Sequence, residues 1–250
     1  MTSEAVREAA RAEFPDWRFA PNIGDSPGIY ELENQAVDRT GHVLAAMRQL
    51  APWTGRTIVD LGCGTGYWLP RYAADAGRAI GIEPDPDLRA RAVSRVAPLA
   101  PRAEVLAGSA EHTGLPDGCA DVVHARFAYF LEPGHDAGLA ETLRVLRPGG
   151  SLVVVDNDHR WGEFAGLLAA AAKDPPERTA AAADTWWRER GASRHEVRSE
   201  LRFASREDLA AVLGIEFPGR VADEWLARNP AATGLTYGFV LFCVKAAAPA

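Results

Sequence analysis

The feature that most restricts this chain is a glycine-rich turn, Asp60-Leu61-Gly62-Cys63-Gly64-Thr65-Gly66, set where a short β-branched run ends and a helical pattern begins. The pattern D-x-G-x-G-x-G arises by chance in roughly 1% of chains of such composition, before strand and helix flanks are demanded. Glycine lets a backbone approach a ligand closely at the carboxyl end of a strand, which is where open α/β sheets bind nucleotides. Around the turn, residues 57–156 alternate apolar runs with helical stretches every 20 to 25 residues or so, the signature of βαβ units in a parallel sheet. Strands are expected at residues 57–61, 79–83, 103–107, 121–125 and 151–156, apolar throughout because both faces are covered. Between them Leu69, Tyr72, Ala73 and Ala76 recur at helical spacing, with Gly77 at a C-cap place, as do Leu88, Ala92 and Val96. Leu139, Leu143 and Leu146 form a third such stripe, which Pro148, Gly149 and Gly150 end.

Ahead of this block, residues 4–14 and 30–50 read as helices joined by a turn-rich link with Pro21, Gly24, Pro27 and Gly28, so residues 1–50 are an N-terminal helical cover. Behind it, residues 164–172 are helical. Residues 173–198 hold Pro175-Pro176, an Ala run and Trp186-Trp187 without a clear core period, and read as a helical insertion after the fifth strand. The tryptophan pair suits either a lid or simple packing. Residues 200–204 and 237–245 are strands, with Ser205 and Asp208 capping a helix through Leu213. The fold class is α/β, a Rossmann-like doubly wound sheet in which residues 51–250 form the ligand-binding domain.

Composition removes several function classes. A 250-residue chain that is 47% hydrophobic can bury its own core without a metal or disulfide staple. The net charge of -7, with no block of basic residues, argues against nucleic acid and anionic lipid as partners. The longest strongly apolar stretch, residues 239–244, is far short of the ~20 that span a membrane. The first fourteen residues carry Glu4, Arg7, Glu8, Arg11 and Glu13, unlike a signal peptide. Cys63, Cys119 and Cys243 form no C-x-x-C pair and are odd in number, which points to a reducing, cytoplasmic setting. A monomer or homodimer is expected.

Glu83 ends the second expected strand, 21 residues after Gly62, where a carboxylate accepts both hydroxyls of a ribose. The ligand is therefore a nucleoside cofactor. Tyr67 stands where G-x-G-x-x-G needs its last glycine, and the Asp60 carboxylate would oppose a pyrophosphate at the helix start. S-adenosylmethionine has no phosphate, and its ammonium suits an acid at the end of the first strand. The residues thus favour S-adenosylmethionine over a nicotinamide dinucleotide.

At these positions the chain resembles the class I S-adenosylmethionine-dependent methyltransferases. Residues 59–66 are similar to their glycine motif and Gly81-Ile82-Glu83 to their ribose-binding strand end. Residues 108–111, followed by Leu115-Pro116-Asp117-Gly118, resemble their adenine turn, and residues 146–150 their helix end before the fifth strand. The resemblance implies a seven-stranded sheet with an antiparallel last strand, supplied by residues 237–245. It implies cofactor contacts from Asp60, Gly62, Cys63, Gly64, Glu83, Pro84, Ser109, Ala110, Glu111 and Arg126. More narrowly, residues 30–34, 125–130 and 156–158 resemble a group of actinobacterial small-molecule methyltransferases. Two departures stand out: Ser109 replaces an Asp common in relatives, and Tyr129-Phe130 replaces a His-His pair, which removes a histidine base at that place.

His42 and His195 read as solvated, and His112, His124 and His135 as structural. His159, in Asp156-Asn157-Asp158-His159-Arg160 after the fifth strand, is the candidate general base, oriented by Asp158 or Asp156, with Tyr129 as substitute. No Cys/His spacing suits a metal, and no D-P-P-Y motif follows the fourth strand. The expected activity is in-line methyl transfer to the O, N or C nucleophile of a small molecule. The rivals are a nicotinamide-dependent oxidoreductase and a non-catalytic S-adenosylmethionine- or partner-binding module. Tyr30, Glu31 and Glu33 face the pocket if the cover folds over the cofactor.

Overall fold

In the computed structural model, which describes residues 3–131, 133–173 and 176–247, seven strands join one sheet. They are β1 (Thr57–Leu61), β2 (Arg78–Ile82), β3 (Ala103–Leu106), β4 (Ala120–Arg126), β5 (Leu146–Asn157), β6 (Ser193–Arg202) and β7 (Gly234–Lys245). Their order is β3-β2-β1-β4-β5-β7-β6. The first five are parallel, and β7 runs antiparallel to both β5 and β6. The chain therefore winds outward from β1 to β3 and then restarts at β4 on the other side of β1. A crevice opens at such a reversal, because the two crossovers leave in opposite directions.

The helices are α1 (Ser3–Glu13), α2 (Pro21–Asp25), α3 (Pro27–Ala36), α4 (His42–Leu50), α5 (Leu69–Ala73), α6 (Pro86–Val96), α7 (Asp136–Val145), α8 (Glu163–Ala171), α9 (Pro176–Glu189), α10 (Arg206–Glu216) and α11 (Gly219–Arg228). Alternation along the strands divides the core in two. Ile58, Val122, Val153, Val155, Phe239 and Leu241 face α4, α5, α8, α10 and α11. Val59, Ile80, Val123, Val154, Val240 and Phe242 face α7 and α9.

Several elements depart from the sequence reading. Residues 30–50 are not one helix: α3 and α4 are separated by a turn at Asp38, whose φ is 51°. The Asp38 Oδ2 accepts the N–H groups of Val43 and Leu44 at 2.9 and 3.1 Å and so starts α4. The link expected to be turn-rich is largely helical, because Pro21 and Pro27 each sit at the first helical position, where proline's missing N–H costs nothing. Helix α7 stops at Val145 and Leu146 already belongs to β5, since the residue before Pro148 is driven from helical geometry and Pro148 has no N–H to offer. Helix α5 ends at Ala73. Gly77 is no left-handed cap: a Cβ there would lie 2.8 Å from the Gly55 carbonyl oxygen, so glycine is needed for close chain contact.

The segment expected as an insertion contains α9 and the first half of β6. Pro175 lies outside the described residues. The Trp pair is packing: Trp187 is 1% exposed and stacks on Phe242 with centroids 5.4 Å apart. Strand β6, of which only the end at residues 200–204 was expected, lies at the sheet edge beside β7 with one isolated bridge from Leu201 to Val37, and its Arg194, Glu196 and Arg198 mask any apolar period.

Candidate active site

The sequence 83–88 builds one wall of the crevice by local hydrogen bonding. Asp85 is the N-cap of α6, its Oδ1 accepting from the N–H groups of Asp87 and Leu88 at 2.8 and 3.2 Å, and Pro86 follows at the first helical position. The Glu83 carboxylate accepts the Asp85 N–H on one oxygen at 2.9 Å and the Gly64 N–H on the other at 2.7 Å. The end of β2 thereby holds the glycine loop that leaves β1. Gly64 has φ +56°, a conformation that L side chains rarely adopt, and a Cβ there would come 2.8 Å from the terminal Cδ1 of Ile23 of α2, which would have to shift.

Above this loop lies a cavity of about 870 Å³, near the top of the ~300–1,000 Å³ range of ligand pockets. All ten cofactor candidates, Asp60, Gly62, Cys63, Gly64, Glu83, Pro84, Ser109, Ala110, Glu111 and Arg126, line it, together with Tyr129. Sheet order lays them out in space: Ser109 to Glu111 follow β3, Glu83 and Pro84 follow β2, Asp60 ends β1, and Arg126 ends β4. The cover closes the opposite side through Trp17, Arg18, Phe19, Ile23, Tyr30, Glu33 and Asn34. Sequence reasoning anticipated Tyr30 and Glu33 but missed the aromatic stretch 17–19 and Trp68. Glu31 is elsewhere, accepting from Thr65 Oγ1 at 3.1 Å and bonded to Arg95.

Burial sets the electrostatics. Asp60 is 3% exposed, and burial pushes its carboxyl up to about 7 against the opposing pull of Arg126. Burial also lifts Glu83 to about 7, although the Asp85 and Gly64 amides favour its ionised form. Cys63 is a buried thiol pushed well up by burial and by the neighbouring Glu83 and Asp60, so it is not a nucleophile. Arg126 is 8% exposed, with its Nη1 on the Met47 sulfur at 3.2 Å, its guanidinium 4.0 Å above the Trp68 ring, and its Nε without an acceptor. A zwitterion suits this pair: a carboxylate for the orphaned Arg126 nitrogen and an ammonium for Asp60. The methionine end of S-adenosylmethionine carries both groups, and Glu83 stands one strand away for a ribose.

The catalytic candidates fare differently. His159 and Asp158 do not line the main cavity; they border a separate cleft against α9, β6 and β7, about 10 Å³ in volume. The reason is the path of the chain after β5. The Asp158 N–H bonds the Gly238 carbonyl at 2.9 Å, its Oδ1 accepts the Arg160 N–H at 3.0 Å, and Arg160 is anchored to Asp184 of α9 at 2.6 Å. Burial also holds the His159 imidazole below its ordinary value, against the pull of Asp158. Tyr129 stays in the cavity as a wall: its hydroxyl donates to Glu111, its ring meets His135 edge-on at 4.3 Å, and burial with that hydrogen bond raises its phenol further from ionisation. Ser109 Oγ closes its own turn by accepting the His112 N–H at 3.2 Å. His124 is buried between Trp53 and Tyr72, and burial lowers it to about 3.

Residues 58–150 match the sequence profile of a methyltransferase-domain family. The demethylmenaquinone methyltransferase of Lactococcus lactis is 31% identical over 137 residues, 52% of this chain and 54% of that protein. The tRNA U34 carboxymethyltransferase of Syntrophotalea carbinolica is 38% identical over 117 residues, 44% of this chain and 36% of that protein. The matches thus span about half the length of the first relative and about a third of the second. Among solved structures, the YcgJ protein of Bacillus subtilis superposes with a TM-score of 0.60 at 14% identity, over 83% of this chain and 99% of that one, which is a likeness of fold. Sheet order, glycine loop and domain match agree: residues 58–150 match a methyltransferase domain, on a Rossmann-like sheet of the kind found in the class I S-adenosylmethionine-dependent methyltransferases that the chain resembles.

Proposed function

We propose that this chain transfers a methyl group from S-adenosylmethionine to a small molecule held in the same cavity. The observation that carries the reading is the size of that cavity: at about 870 Å³, with Trp17 to Ala20, Ile23 and α3 along one side, it has room for a cofactor and a compact second molecule. The relative named for demethylmenaquinone fits such an acceptor. The relative named for a tRNA is a counter-example in the family, but a net charge of -7 repels a phosphate backbone. No described helix is long and apolar enough to cross a membrane. Cys63, Cys119 and Cys243 are unbridged, which agrees with a reducing compartment.

S-adenosylmethionine supplies a methyl group already activated on a sulfonium. Asp60 and Arg126 would hold its amino-acid end, Glu83 its ribose, and residues 109–111 its base. The chain's task is then to orient the nucleophile in line and exclude water, which removes entropy from the barrier. Incubating the protein with methyl-labelled S-adenosylmethionine and a small-molecule extract tests this. A low-molecular-weight product heavier by one methyl supports the reading, and label appearing only in RNA or protein contradicts it.

A further inference from the structure

The first residue after β4 is held in a conformation that a phenylalanine rarely takes. Phe127 has φ 50°, in the left-handed region where a side chain crowds its own backbone, and its N–H is bonded to the Val155 carbonyl at 3.1 Å. Such strain persists only where the surroundings impose it. Two contacts do so. The next residue, Ala128, presses on the glycine loop: a Cβ on Gly62 would lie 2.4 Å from the Ala128 Cβ. The Phe127 ring in turn lies nearly parallel to that of Tyr237 on β7, at 22° with centroids 6.3 Å apart.

Tyr237 is itself stacked on Phe164 of α8, at 19° and 4.0 Å, and its hydroxyl donates to Asn157. Three rings thus form a column that rises from the core toward the cavity. Phe164 and Tyr237 are buried, whereas Phe127 is only half-buried and lines the cavity, so the last ring of the column keeps open surface. Phe239 meets that ring at 50°, and the Arg126 guanidinium, which covers Trp68 at 4.0 Å, stands 6.0 Å from its centroid, beyond contact distance. Trp17, Phe19, Tyr30 and Trp68 are also half-buried and line the same cavity. Fixed rings present flat faces, which another flat ring covers better than a flexible chain does.

This part of the cavity is not the cofactor's. In the reading above, base, ribose and amino-acid end lie over β3, β2 and β1, whereas Phe127 follows β4 and its column leans on β7, in the other direction along the sheet. We propose that the acceptor carries a flat aromatic ring, which stacks on Phe127 as the fourth member of the column, and that Phe127 selects for it. This rests on the methyl-transfer reading. The stack sets the plane of the acceptor ring, and Ala128 on the glycine loop ties that plane to the cofactor, so a nucleophile borne on the ring meets the methyl in one orientation.

The test is calorimetry on protein saturated with S-adenosylhomocysteine, with 2-naphthol and decahydro-2-naphthol as probes. The two share a hydroxyl and a two-ring skeleton, and the saturated one is no less apolar, so a cavity that merely excludes water takes both alike. A stacking site is expected to bind 2-naphthol about 3- to 10-fold tighter. Phe127→Leu should abolish that preference while keeping wild-type affinity for S-adenosylhomocysteine. Equal binding of the two alcohols to the wild type, no binding of either, or a preference that survives Phe127→Leu overturns the proposal. So does a Phe127→Leu protein that is folded by circular dichroism yet loses S-adenosylhomocysteine, because the ring would then serve the cofactor. If that variant does not fold, the comparison of the two alcohols on the wild type decides alone. A wild-type protein that does not bind S-adenosylhomocysteine at all overturns the cofactor reading beneath it.

Discussion

The Glu83 carboxylate accepts the Gly64 N–H at 2.7 Å, so the acid that ends one strand fixes the glycine loop that ends its neighbour. Glu83 is therefore a loop clamp, and in the function proposed above it also accepts the ribose hydroxyls. Glu83→Ala is expected to weaken S-adenosylmethionine binding by about 1.5 to 3 kcal/mol, the worth of hydrogen bonds to a charged group. Titration calorimetry checks this, and unchanged affinity would remove Glu83 from the site.

Asp60 and Glu83 are both lifted to about 7 by burial, well above the ordinary carboxylate range. The folded apoprotein thus holds protons that the unfolded chain has lost, so these groups favour the fold at low pH and that contribution fades as pH rises through 7. A cofactor ammonium beside Asp60 reverses the preference by favouring the carboxylate. S-adenosylmethionine affinity should rise with pH through about 7, by up to about tenfold per pH unit for each proton released, and level off above it. Calorimetry in two buffers of different ionisation enthalpy reads the proton release directly. Asp60→Asn should flatten most of the pH dependence; an unaltered slope would show that another group titrates.

The cover is latched to the start of α6 by Arg7, which lies 3.6 Å from Asp25, 3.7 Å from Asp85 and 3.5 Å from Asp87, donates to the Gly24 carbonyl at 3.0 Å, and covers the Phe19 ring at 4.6 Å. Arg95 with Glu31 makes a second tie. Because Arg7 is partly exposed, these ion pairs are worth about 1 kcal/mol in all and weaken in salt. Arg7→Ala is expected to speed S-adenosylmethionine dissociation several-fold, about what that energy implies, and to expose residues 14–25 to protease. Stopped-flow release and limited proteolysis together test the latch, and unchanged release would mean that the cover does not gate the cavity.

His159 borders the small cleft against α9 and not the main cavity. His159→Ala is accordingly expected to keep turnover within about threefold of wild type, whereas removing a true proton-transfer group costs about 10² to 10⁴. A loss of that size in steady-state assays would show that the chain after β5 rearranges when the acceptor binds.

What the sequence disclosed follows from how local each signal is. The strands β1, β2 and β4 and the second half of β5 were readable because they are largely buried on both faces and therefore mostly apolar in one run, and Ser205 announced α10 by a cap that needs only three neighbouring residues. The crevice between β1 and β2 was legible for the same reason: Asp60, Gly62, Gly64 and Glu83 sit at strand ends, where position along the chain fixes position in space. The opposite wall was not. Trp17, Phe19 and Trp68 reach the cavity from separate stretches of chain, and nothing near any of them encodes the meeting. His159 was misplaced because its motif gives a distance from β5 but not the direction of the turn, which Gly238 and Asp184 decide. Edge strand β6 was partly hidden by its own charged residues.

The measurement that tests the account most directly is a pair of calorimetric titrations of the purified protein, with S-adenosylmethionine and with NAD, repeated on Gly64→Val. One molecule of S-adenosylmethionine should bind per chain, NAD should give no heat, and Gly64→Val should not bind S-adenosylmethionine, because a β-branched side chain strains a backbone at φ +56° and displaces Ile23. Binding of NAD in preference, or S-adenosylmethionine binding that survives Gly64→Val, would contradict it.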